Sequence, residues 1–421
     1  MTDEYKVLKG GVLIDGTGKT PLENAVVVIK GSKIVNIGEE GNVEIPSDAN
    51  IIPADGCTVI PGLIDAHLHL TGTRTRDMME WLLETNLALR ALRIAADAKA
   101  LLHAGYTTVR CCGSTITIAL KQAIEEGTAV GPRIMASRQM ITRTGGHEGH
   151  SVPIKWIKEV GVTRLADGID DCRLAVREQL RGGADFIKIC TGVWGESKHF
   201  PYASADYSIG EIEVMVEEAH RTGVRIASHA LGKEGISIAV EAGVDTIEHG
   251  RELDEEVCKL MVKNNVILVP TLAATILKEK DRATETNPKW KVAYAPGNLE
   301  QMNEDTYNAV RIAHASGVKI AAGSDIAGAP LFGGYLMGNN AVELEYLTRC
   351  GLSPMESLMA ATKICAEALG LEDQIGTIET GKLADILVIN GNPLEEIKLL
   401  QNRDTIRMVI KNGDIVVDRN K

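Results

Sequence analysis

The chain has 421 residues, enough for one large domain and a smaller partner, and no apolar run in it approaches the ~18 residues a membrane span needs. A formal net charge of −12 and a pI near 5.4, with no Lys/Arg cluster to offset them, argue against a general nucleic-acid surface. Small molecules or peptides are the expected partners. The first residues, MTDEYKVLKG, hold no signal-peptide hydrophobic stretch, so a cytoplasmic location is expected. Eight scattered cysteines form no C-x-x-C pair and sit mostly in apolar surroundings, the pattern of reduced, buried thiols.

Residues 1–58 carry short β-branched runs, GGVLIDGTG, NAVVVIKGSKIVNIGEE and NIIPADGCTVI, punctuated by Gly, Asp or Pro. The same texture returns over 372–421 in GKLADILVINGNP and RMVIKNGDIVVDRN. Two β-rich ends around a different middle predict that the termini meet in one small β-sandwich. Over 59–371, the runs TVIPGLIDAHLHL, TTVRCCG, RIMAS, FIKIC, RIASHA, TIEHG, VILVP and KIAAGSD read as eight strands. Amphipathic stretches such as DDCRLAVREQLRGGA and GEIEVMVEEAHRTG alternate with them, commonly followed by a capping glycine. This alternation predicts an α/β protein built on a (β/α)8 TIM barrel. A doubly wound open sheet fits less well, because no Gly-rich phosphate fingerprint follows the first strand.

In such a barrel the active site lies at the C-terminal ends of the strands. Strand one ends in His67 and His69, which share a face because they are two residues apart. Strand four carries Lys188, strand five ends at His229, strand six at His249 and strand eight at Asp325. Taken singly, His229 or His249 reads as a structural histidine and Asp325 as a helix N-cap. Together they read as one polar site for a divalent metal; Zn2+ suits the set, and Mn2+ or Co2+ is compatible with it. Lys188 faces inward if Phe186 and Cys190 share its face while Ile187 and Ile189 pack outward. An ammonium beside a divalent cation is repelled, so this lysine is expected to be neutral or modified. Its carbamate with carbon dioxide would be anionic, bidentate and able to bridge two metals. A salt bridge to Asp325 and a Schiff-base lysine are the alternatives, the second disfavoured by a histidine cluster it does not need.

The segments PGLIDAHLHL, FIKIC, ASHA, IEHG and AGSDIAG, in this order, with the late GTIETGKLADILVI, resemble the amidohydrolase superfamily. More narrowly, the chain resembles its prolidase-like and imidazolonepropionase-related branch of metal-dependent dipeptidases and carboxypeptidases. The resemblance spans essentially the whole chain. It implies a zinc-dependent enzyme in which His67, His69 and Asp325 hold one metal, His229 and His249 hold a second, and N6-carboxylated Lys188 bridges them. Two metals about 3.5–4 Å apart bring the pKa of a bridging water near neutrality. Asp325 is placed to take its proton and pass it to the leaving amine. The expected reaction is attack of a metal-bridged hydroxide on the amide of a dipeptide or N-acyl amino acid, with ureas, carbamates or cyclic amides as the alternative substrates.

The loop TRTGGHEGHS, 142–151, follows the third strand. In related enzymes a glycine-flanked histidine of the matching TGGH loop contacts the substrate carbonyl or carboxylate, which implies that role for His147. Gly145 and Gly146 would permit close backbone approach; His150 is either a second contact or a surface residue. The order H-E-G-H is not that of a zincin helix. Relatives place Tyr or His two residues after the fifth-strand histidine, where this chain has Leu231. Arg138, Arg143, Lys198 and His199 are the basic candidates for the missing carboxylate contact. Nine of the fifteen aromatic residues (Trp156, Trp194, Phe200, Tyr202, Tyr207, Trp290, Tyr294, Phe332 and Tyr335) fall in loops after strands three, four, seven and eight. They predict an apolar active-site mouth, with Trp194 among the substrate contacts, or else rings that cement loops or an interface. Relatives are commonly homo-oligomeric, and the same is expected here.

Overall fold

The computed structural model describes residues 4–72, 74, 86–147, 161–192, 204–276, 299–327 and 336–419. Its strands are β1 (Tyr5–Lys9), β2 (Val12–Leu13), β3 (Leu22–Glu23), β4 (Ala25–Lys30), β5 (Lys33–Glu39), β6 (Asn50–Pro53), β7 (Cys57–Pro61), β8 (Leu63–Leu68), β9 (Tyr106–Cys111), β10 (Arg133–Ala136), β11 (Met140–Thr142), β12 (Thr163–Leu165), β13 (Ile187–Cys190), β14 (Ile226–Ala230), β15 (Thr246–His249), β16 (Ile267–Val269), β17 (Ile386–Asn390), β18 (Ile406–Lys411) and β19 (Asp414–Asp418).

Strands from both ends of the chain lie in one sheet. One sheet runs β19-β18-β17-β7-β2-β3, and a second runs β5-β4-β1-β6. Alternate residues of both sheets, among them Leu8, Val27, Ile29, Val59, Ile386, Val388 and Ile410, bury their side chains in one apolar cluster. The run TVIPGLIDAHLHL, expected as a single strand, is two. β7 pairs antiparallel with β17, and β8 pairs parallel with β9. The break is at Gly62, where an added Cβ would lie 2.2 Å from the Thr107 hydroxyl and whose N–H donates to the Asp385 carbonyl (2.8 Å). Only a residue without a side chain allows the chain to pass from one sheet to the other at that point.

The middle of the chain is parallel. β10-β9-β8 form one sheet and β12-β11-β13-β14-β15-β16 another, β11 and β12 being short strands that the sequence did not signal. Residues 319–325 lie between β16 and β8: Leu268 N–H donates to Lys319 O (2.9 Å), Ala66 N–H to Ala322 O (2.9 Å) and Asp325 N–H to His67 O (2.7 Å). Helices alternate with these strands and start where the sequence offers caps. Asn86 accepts from Leu89 N–H ahead of Leu87–His103, Asp254 accepts from Val257 N–H ahead of Glu255–Lys263, and Ser208 with Glu211 forms a capping box ahead of Ile209–His220. All eight cysteines are buried free thiols. Among the described residues no helix is long and apolar enough to cross a membrane.

Candidate metal centre

On β8, Asp65 and His67 alternate onto one face, and His69 follows just beyond the strand. Asp65 is a buried anchor: its carboxylate accepts from His67 N–H (3.0 Å), Ser324 N–H (3.1 Å), Ser324 Oγ (2.6 Å) and Asn340 Nδ2 (2.7 Å). That ties the end of β8 to the segment carrying Asp325. His67 Nε2 and His69 Nε2 then lie 3.5 and 3.2 Å from Asp325 Oδ1. Ring centroids continue from His67 to His249 (5.1 Å), His249 to His229 (4.5 Å) and His229 to His147 (4.3 Å). The imidazoles thus form a continuous row beside one carboxylate.

Local backbone strain brings two of these groups inward. His249 has φ 73° and Asp325 φ 53°, left-handed values that non-glycine residues seldom adopt. Each costs on the order of 1–3 kcal/mol and is held in place by the surrounding structure. On β15 strict alternation would send Glu248 and His249 to opposite faces; the positive φ at His249 lets both serve the same site. Thr271, also at positive φ (53°), bonds His249 Nδ1 through its hydroxyl (2.7 Å). The next two backbone N–H groups, of Leu272 and Ala273, donate to the buried carboxylate of Glu343 (3.0 and 2.6 Å), which burial pushes up to about 8 against these bonds.

Burial holds His229 and His249 well below the ordinary histidine value, and it takes His67 down to about 4 against the pull of Asp325. All three rings are therefore neutral near pH 7, the state a metal requires. Burial alone would raise Asp325, but His67 and His69 outweigh it and hold the carboxyl below the usual range. Lys188 Nζ and His229 Nε2 are buried and have no hydrogen-bond partner among the described residues. Among the described residues no salt bridge ties Lys188 to Asp325. Ile187 and Ile189 join the large apolar core, whereas Phe186 packs with Cys112 and Ala227, and Cys190 with Met140 and Val162, in separate small clusters. His67, His69 and Asp325 lie close enough to share one ion. Neutral imidazoles, a carboxylate and orphaned buried nitrogen atoms fit a divalent cation. His67, Cys112 and Glu248 also converge. Burial pushes the Cys112 thiol far up, and Glu248 is already engaged by Arg110, so this second group is a support beneath the first.

The other sequence candidates divide. His147 joins the row of imidazoles on a turn whose Gly146 has a structural reason: a Cβ there would lie 2.7 Å from both Asp206 Oδ2 and Thr142 Oγ1. Arg143 is held by the buried Asp206 (2.9 Å). Arg138 is turned toward the helix Ile169–Arg181, where it donates to Gln179 Oε1 (3.2 Å), so the structure does not bring it to the site. Leu231 is a buried apolar residue just past His229. Tyr207 corrects the aromatic-mouth reading at its position. It is buried, with its hydroxyl donating to Ala166 O (3.2 Å), and cements the loop instead. His150, Trp194, Lys198, His199 and the remaining loop aromatics lie outside the described residues. Sequence reasoning passed over Asp65, Arg110, Glu248, Thr271 and Glu343. For Asp65, Arg110 and Glu248 the available signal was a charged residue interrupting an otherwise apolar strand; Thr271, beyond β16, and Glu343, on the helix Val342–Arg349, gave none.

Neutral imidazoles and a carboxylate gathered at the ends of parallel strands are the equipment of metal-assisted hydrolysis. Residues 58–416 match the Amidohydrolase family, and the chain belongs to it, as an enzyme of that family. It is 30% identical over 440 residues to the ochratoxinase of Aspergillus niger, covering 98% of this chain and 87% of that protein. The crystal structure of that ochratoxinase superposes with a TM-score of 0.86 at 28% identity, over 99% of this chain and 96% of the other. A prolidase complexed with N-methylphosphonate-L-proline superposes with a TM-score of 0.87 at 31% identity, over 99% of this chain and 100% of that one. A Xaa-Pro dipeptidase with methionine bound in its active site gives 0.84 and 31%, over 98% and 99%.

Proposed function

We propose that this enzyme hydrolyses the amide bond of a dipeptide or N-acyl amino acid at a centre for two divalent cations, with Zn2+ the ion the donors suit best. His67, His69 and Asp325 would hold one cation and His229 and His249 the other, and a carbamate on Lys188 would supply an anionic ligand to them. The observation that carries this reading is the buried Lys188 Nζ, left without a hydrogen-bond partner beside a row of neutral imidazoles. The likeness to a prolidase and a Xaa-Pro dipeptidase supports the peptide side of the proposal.

Bound there, the cations would supply a Lewis acid for the scissile carbonyl and lower the pKa of a water toward neutrality. Asp325, ionised and facing the imidazoles, takes the proton of the attacking water and passes it to the leaving nitrogen. His147, edge-on to His229, meets the substrate carbonyl or carboxylate. Arg143, oriented by Asp206, brings a positive charge to the same turn, and Leu231 offers an apolar wall. For the architecture we propose a closed (β/α)8 barrel over 59–371 and a β-sandwich from 1–58 and 372–421. The backbone bonds of residues 319–325 to both β16 and β8, and the sheet shared by both chain ends, support it.

The test is a substrate panel assayed on enzyme reconstituted with Zn2+ and bicarbonate. Release of one class of C-terminal amino acid from dipeptides or N-acyl amino acids is expected. Turnover confined to ureas, carbamates or lactams would overturn the substrate assignment.

A further inference from the structure

Arg110 on β9, Glu248 on β15 and His67 on β8 are 2%, 0% and 1% exposed, and they form a chain of contacts across three strands. Glu248 Oε2 lies 2.6 Å from His67 Nδ1, and Glu248 Oε1 accepts from Arg110 Nη2 (2.7 Å). The guanidinium is fixed at further points: Nη1 donates to Thr246 Oγ1 (3.2 Å), Nε donates to Ala66 O, and its face lies 5.2 Å from the centre of the Phe186 ring. The Thr246 hydroxyl donates to the same Glu248 Oε1.

We propose that Glu248, oriented by Arg110, is a positioning residue that fixes the tautomer of His67 and so sets how tightly the site binds its metal. The inference rests on the metal-centre reading above. A carboxylate only accepts, so His67 must donate through Nδ1–H, leaving the lone pair on Nε2, the nitrogen that faces Asp325. The neighbouring His249 obtains the equivalent support from a hydroxyl, which both donates and accepts and so does not by itself dictate a tautomer.

This role differs from a structural one in what Glu248→Gln should do. Arg110 and Thr246 both donate to the Oε1 position, so the amide oxygen must occupy it. The NH2 then faces Nδ1, forcing that nitrogen to accept and moving the ring proton to Nε2, where it blocks the metal. Both substitutions remove Arg110's counter-charge, but Glu248→Ala, while permitting either tautomer, also removes the acceptor of Arg110 Nη2 and of the Thr246 hydroxyl and leaves a cavity, the costlier change for the fold. Affinity and stability should therefore rank oppositely. Gln is expected to bind Zn2+ more weakly than Ala and at least about 10- to 100-fold more weakly than wild type, and to melt above Ala.

The experiment is Zn2+ titration of the apoproteins in competition with a chromophoric chelator, with thermal unfolding of the same samples. Failure of wild type to bind Zn2+ would sink the metal-centre reading itself. Wild-type binding with Gln equal to wild type, or weakened less than Ala, would overturn the tautomer role alone. Should Ala fail to fold, the 15N shifts of His67 in the apo wild type and Glu248→Gln decide. The proton is expected on Nδ1 in wild type and on Nε2 in the variant; Nε2–H in wild type would contradict the proposal.

Discussion

Asp325→Asn is expected to lower kcat for amide hydrolysis about 10²- to 10⁴-fold, the range that a positioned acid–base group contributes. The substitution is clean on structural grounds. Asp325 sits at φ 53°, a region in which Asn is among the best-tolerated residues, so the strained turn survives. The side chain keeps its shape and its approach to His67 and His69. It loses the negative charge and the capacity to take a proton. Steady-state kinetics with a melting curve as control read the effect. An unchanged kcat in a folded, metal-loaded variant would remove Asp325 from the proton path.

Lys188→Met should separate metal binding from folding even more sharply. An ordinary buried lysine earns its place through an ion pair, and its removal leaves a stranded carboxylate. Here the amine has no hydrogen-bond partner, so nothing is stranded when it goes. Methionine is an unbranched side chain that adapts well to core space. The apoprotein is expected to be at least as stable as wild type, gaining on the order of 1 kcal/mol from loss of an unsatisfied buried polar group. Metal content and hydrolysis are expected to fall to background. Thermal unfolding of the apo forms and elemental analysis after reconstitution check both halves. A strongly destabilised apo variant would assign Lys188 a structural role.

Much of the site was legible because its chemistry obeys strand periodicity. His67 and His69 share a face by their spacing, and His229, Lys188 and Asp325 each sit at or near the end of an apolar run. Glu248 was not legible for the same reason. Alternation on TIEHG places it opposite His249, and only the positive φ at His249 shows that both face the site. Arg110 likewise reads as an interruption in TVRCC until its partner from another strand is seen. Long-range pairing also changed the meaning of Arg143, because nothing local to TRTGG announces that Asp206 will hold it. In the fold, the β-rich ends and the alternating middle were apparent from texture. The change of sheet at Gly62 was not, since an unbroken apolar run conceals a steric contact with Thr107 that exists only after folding. Tyr207 shows the limit of composition: a ring in a loop near the site still points into the core.

The proposed reaction requires the metal centre, so divalent metal per chain is the measurement to make. Elemental analysis of protein produced with zinc and bicarbonate should give about two ions per chain, as a binuclear hydrolytic centre requires. A folded protein with its histidines intact and no bound metal would contradict it.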